Sequence, residues 1–108
     1  MATRYHNITG STGVTVTLLN VGDRVSNIKS ILITNTHSSN AATVTLFLQR
    51  TESSVVKNYK ITNLLSIPAK TSFLIDDAGI LNFSNLPGSF GLFITVGSSD
   101  TLDVFINT

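Results

Sequence analysis

No cysteine occurs among the 108 residues, which excludes a disulfide framework and any zinc site built on thiolates. Tryptophan is also absent, and charge is scarce and balanced, with seven Lys and Arg against six Asp and Glu. That balance offers no basic face for nucleic acid and no polybasic segment for a membrane surface. No apolar run approaches the roughly 20 residues of a spanning helix. The opening "MATRYHNITG" lacks the apolar stretch of a secretory signal, so synthesis in the cytoplasm is expected. Without staples, the fold has to rest on packing. A chain of 108 residues is long enough for one domain with its own core.

Polarity is supplied instead by Thr, Ser and Asn, which make up roughly a third of the chain. Threonine and the aliphatic β-branched residues suit a pleated, half-buried surface, while the helix formers Ala, Glu and Lys are few. Residues 1–13 hold turn formers and scattered apolar positions, and read as an arm, partly extended around Arg4 to Ile8. Residues 14–108 read as the folded domain. Within it, "VTVTL" alternates strictly, with Val14, Val16 and Leu18 on one face. In "SILITNTHSSNAATVTLFLQR" two strands, Ile28 to Asn35 and Thr43 to Arg50, flank a polar loop. Pairing them as a hairpin sets Leu32 beside Leu46, with Ile31 opposite Phe47 and Ile33 opposite Thr45.

"TESS" turns the chain into a weaker strand, Val55 to Ile61, and Pro68 marks a bend or a strand edge. Phe73 and Ile75 resume the alternation until "DDAG", and "ILNFSNLPGSFG" reads as short-stranded and rich in turns. At the end, "LFITV" and "LDVFIN" read as a hairpin around the loop Gly97 to Thr101, pairing Ile94 with Val104 and Phe93 with Phe105. No window holds a 3.6-residue period, and "NLLSI" supports at most one helical turn. The expected fold is all-β, a single-domain β-sandwich or jelly roll of about seven or eight antiparallel strands.

Chemistry is harder to find. His6 lies in the arm and His37 in a loop, neither near an evident nucleophile. Glu52 and the five aspartates show no paired-carboxylate spacing. Asp76 and Asp77, with Asp23, Asp100 or Asp103, offer oxygen ligands for calcium, but Asp is also an ordinary turn residue. "NIT" at Asn7 and "NFS" at Asn82 match the glycosylation acceptor triplet, of little weight without a signal segment. No enzyme, metal or cofactor is expected. Aromatic placement stands out instead: Phe93, Phe105 and Phe47, with Ile31 and Ile33, fall on faces that otherwise carry Thr, Asp and Gln. Such a set is a candidate subunit interface.

The segments "IKSILITNTHSSNAATVTLFLQ", "SIPAKTSFLIDD" and "GLFITVGSSDTLDVFI" resemble small virion structural proteins of tailed bacteriophages, above all those of marine, contractile-tailed phages. The likeness covers about residues 25 to 107 and rests on structural motifs, so it transfers no site residue. It implies an all-β accessory part of a head or tail, such as a capsid decoration protein. The implied location is the virion, and the implied partners are further copies of the chain and the major capsid protein. Closed symmetry makes a trimer the natural oligomer, with the arm free to add a strand to a neighbour. The competing reading is a carbohydrate- or receptor-binding β-sandwich.

Overall fold

The computed structural model describes residues 4–9, 15–25, 27–97 and 100–108. Among these residues, nine strands and one helical turn follow in order: β1 (Arg4–Thr9), β2 (Thr15–Leu19), β3 (Ser30–Asn35), β4 (Ala42–Glu52), β5 (Val55–Lys60), β6 (Leu65–Ile67), β7 (Ser72–Ile75), α1 (Ala78–Leu81), β8 (Gly91–Val96) and β9 (Thr101–Asn107). Val14, expected to open the second strand, lies outside the described residues, as do the ends of the arm and Ser98–Ser99 of the last loop.

The strands form two antiparallel sheets, β1-β9-β3-β7 and β2-β8-β4-β5, with β6 continuing along β4 beside β5. Four of the pairs, β1·β9, β2·β8, β3·β7 and β4·β5, are nested around the β4–β5 hairpin. A long antiparallel ribbon of this kind, folded over so that alternate pairs lie in opposite sheets, is a jelly roll. The innermost turn is local: Glu52 pairs with Val55 across Ser53 and Ser54, whose φ angles of 50° and 66° match the two-residue turns that suit strand twist.

Alternation then decides the core. Ile31, Ile33, Val104 and Ile106 of the first sheet meet Val44, Leu46, Leu92 and Ile94 of the second, all fully buried. The inward faces of β4, β8 and β9 are those expected from the sequence; that of β3 is corrected, with Ile31 and Ile33 rather than Leu32 turned to the core, and so are both expected long hairpins. Leu32 does not pair with Leu46; it lies between Phe105 and Leu74, whereas Leu46 pairs with Ile94. Phe93 does not face Phe105; it pairs with Phe47, and Phe105 with Tyr5. In both places the connection crosses from one sheet to the other: Ile94 and Val104 face each other across the core, Phe93 and Phe105 point to opposite outer surfaces, and Leu32 turns outward on one sheet while Leu46 turns inward on the other. Alternation dictates the side where one face is polar, as in β4, but not in β3, which is apolar on both faces, and in either case it leaves the ladder partner open.

Buried polar side chains hold the crossings. Asn35 donates from Nδ2 to the carbonyls of Asn40 and Ile67, 2.9 and 3.0 Å away, and accepts from the His37 amide at 3.0 Å. Asp100 Oδ2 accepts from the amides of Thr43 and Gly97 at 3.1 and 2.9 Å, tying the β8–β9 corner to β4. Asn85 donates to the carbonyls of Asn20 and Phe90 and accepts from the Val25 amide. "ILNFSNLPGSFG" consequently forms no strand before Gly91: it ends α1 and then runs as a loop held by Asn85. The helical turn falls at Ala78–Leu81, where Asp77 Oδ1 accepts the Gly79 amide at 2.9 Å, and "LSI" of "NLLSI" is β6.

Candidate contact surfaces

Each strand of the first sheet carries one apolar residue on its outer face, and the registers bring the four into line. Tyr5 pairs with Phe105, Phe105 with Leu32, and Leu32 with Leu74. The result is an apolar row across the whole sheet, ending on Tyr5, 68% exposed, and Leu74, 53% exposed. The Tyr5 and Phe105 rings meet edge to face, with centroids 5.1 Å apart. Beside this row runs a polar one, Asn7–Asp103–Thr34–Ser72. In it Asn7 donates to Asp103 at 2.6 Å, and the Thr34 and Ser72 hydroxyls bond at 2.8 Å. The side chains turned toward the core complete the sandwich on the other side, so this row plays no part in closing the protomer.

The outer face of the second sheet is a threonine field around an aromatic pair. Phe47 and Phe93 stack with centroids 5.7 Å apart and planes 17° apart. The Phe93 ring lies along its strand over Gly91, where an added Cβ would come within 2.9 Å of Cε1. Phe47 is thereby only 8% exposed. Thr15 and Thr95 bond at 2.8 Å beside it.

The five interface candidates therefore divide. Phe93 and Phe47 share the second sheet's outer face; Phe105 lies on the first sheet's, in company with Tyr5, Leu32 and Leu74. Ile31 and Ile33 are corrected: both are fully buried between the sheets, because β3 presents Ile31, Ile33 and Asn35 inward and Leu32 outward. Tyr5, Leu32 and Leu74 were missed because strands that lie far apart in sequence bring them together.

Several ionisable groups are engaged in structural roles. His37 Nδ1 accepts from the amides of Ser39 and Asn40, each at 3.1 Å, ordering the β3–β4 crossing. His6 turns toward the seam between β1 and β2. Burial, with Arg4 nearby, holds its pKa below the ordinary histidine value, opposed by a hydrogen bond with the Leu18 backbone. Its Nε2 atom is buried without a hydrogen-bond partner. Asp23 accepts the Asn20 amide and pairs with Arg4 at 3.6 Å. At the projecting end of β4–β5, Glu52 accepts the Tyr59 hydroxyl at 2.8 Å, which raises the Tyr59 pKa, and lies 3.5 Å from Arg50. Arg50 in turn sits 5.1 Å over the Phe90 ring. Among the described residues, no three His, Asp or Glu side chains gather where they could hold a metal. No helix of the described residues is long and apolar enough to cross a membrane.

No protein-family model matches the chain, and no curated protein matches it. Among solved structures, it is similar to a chain from the structure of the infectious bursal disease virus Gx strain, at 17% identity and a TM-score of 0.45. That match covers 99% of this chain and 34% of the other, so this chain spans about a third of its neighbour's length.

Proposed function

We propose that the chain is a non-enzymatic structural component of a phage virion, a capsid decoration or head/tail accessory protein. It acts by self-association, with a trimer favoured, and by binding to the particle lattice and its major capsid protein. The observation that carries this reading is the apolar row Tyr5–Phe105–Leu32–Leu74, laid across a sheet whose inward side already completes the core. Residues of this kind gain from burial against a partner. A jelly roll with few charges supports the reading, since little charge would be desolvated at each contact. The resemblance to tailed-phage virion proteins points the same way.

Sugar binding is favoured by one feature, the exposure of Tyr5 beside Phe105. Their rings stand at 90°, however, and so offer no shared flat platform for a pyranose. The test is mass spectrometry of purified particles from the cells that make the chain. Its peptides should occur in constant ratio to the major capsid protein. Particles without them, together with binding on a glycan array, would replace this reading with the carbohydrate one.

A further inference from the structure

We infer that the outer face of the first sheet is a two-fold contact with a second copy of this chain, Tyr5 facing Leu74 of the other copy and Phe105 facing Leu32. The inference rests on the self-association proposed above but departs from the trimer, because a face that meets its own copy across a two-fold axis joins two chains. It follows from shape and charge along the row. A two-fold axis parallel to the strands, between β9 and β3, sets one aromatic against one leucine at all four positions, so the gap between the sheets is even. An axis along the row would set Tyr5 on Tyr5 and Leu74 on Leu74, leaving a wedge that tight packing disfavours.

The strand-parallel axis also treats the polar row well. Asn7 comes to face Ser72, and Asp103 faces Thr34, so hydroxyls and amides meet hydrogen-bonding partners. Asp103 is the only formal charge among the paired outward positions of these four strands. Under this axis it never meets its own copy, so no like charges are opposed. Sheets stacked in this way pack with their strands roughly aligned.

Area sets the strength. The face is about 14 Å across between the outer strands and about 20 Å along them. That is on the order of 300–400 Å² per copy, below the ~800 Å² per partner of a standard interface. The contact is therefore weak between free copies and suited to copies already held close on a particle.

The experiment uses the full chain, which has no cysteine of its own. Asn7→Cys and Ser72→Cys proteins are treated with a short bis-maleimide, separately and mixed, at up to about 1 mM, where millimolar affinities populate the complex. Facing sheets lie about 10 Å apart, too far for a direct disulfide, but Asn7 and Ser72 of opposed copies come within the linker's reach. Equivalent residues stand roughly 17 Å apart, beyond it. The expected result is a dimer formed in the mixture and not in either protein alone. Leu74→Glu in both proteins should lower its yield about tenfold, while circular dichroism shows the fold intact.

No product, equal product in all three reactions, or a yield indifferent to Leu74→Glu would overturn the contact. Particles that carry the chain without a mixed cross-link would sink this geometry and leave the proposed function standing. A mixed cross-link from a chain absent from particles would do the reverse.

Discussion

Asn35 has no exposed surface, yet both ends of its amide have partners: two carbonyls and the His37 amide. Asn35→Ala would leave those backbone groups dry, and should lower unfolding free energy in urea by about 2–4 kcal/mol. Asn35→Asp should also destabilise, since a carboxylate cannot donate to Asn40 and Ile67. His6 gives the second residue-scale prediction. Its folded pKa lies below the unfolded value, so the unfolded chain binds the extra proton. The contribution of neutral His6 is fully present above about pH 6.5 and is lost as pH falls through the lowered folded value. Urea midpoints at pH 7.5 and 5.5 should differ less for His6→Phe than for the native chain; an equal difference would remove His6 from the pH response. Neither role was legible in the sequence. Asn35 and His6 look like ordinary polar residues until the crossing and the seam enclose them.

At the scale of elements, β4 and β8 form the centre of the second sheet, and their inward residues carry its share of the core. Leu46, fully buried, should cost ~2–5 kcal/mol when replaced by Ala, measured by denaturant unfolding. Gly91→Ala tests the outer face of the same sheet. Its Cβ would meet the Phe93 ring at 2.9 Å and the Leu19 carbonyl oxygen at 3.0 Å. Since the carbonyl cannot swing away as a ring can, the substitution should destabilise by about 1–3 kcal/mol. It should also shift the ring-proton resonances of Phe47 and Phe93 in NMR. Strand positions and inward faces were readable here from Val44–Leu46–Leu48 and Leu92–Ile94–Val96, since period-two alternation is a local property. The β4–β5 turn was readable for the same reason. The β3–β4 and β8–β9 segments were not, because polar loops of similar length either close a hairpin or cross between sheets.

For the whole molecule, closure depends on its most distant pairing: β1 lies along β9, nearly the full length of the chain away. The middle of the expected arm is thus an edge strand of the chain's own first sheet. Deleting residues 1–9 should bare the β9 edge, empty the core position of Ile8 and strip the Tyr5 ring from Phe105, already 39% exposed. Light scattering at neutral pH should then detect aggregation, as unpaired edges invite it; a clear, monomeric truncated protein would show that β1 is dispensable. Nested pairs of this kind also give long-range contacts throughout, so refolding should take milliseconds to seconds rather than microseconds. The apolar row belongs to this scale, since it exists only once β1, β9, β3 and β7 lie side by side.

From the sequence alone came the all-β class, the strand positions and the side on which most residues fall, because alternation and turn chemistry act over a few neighbouring residues. Only the tertiary structure decided which strands pair, that Ile31 and Ile33 are interior, and that Tyr5, Phe105, Leu32 and Leu74 form one line. Partner choice among strands of like pattern is settled when the nested ribbon folds over itself and closes a single core, and no short window of residues holds that information.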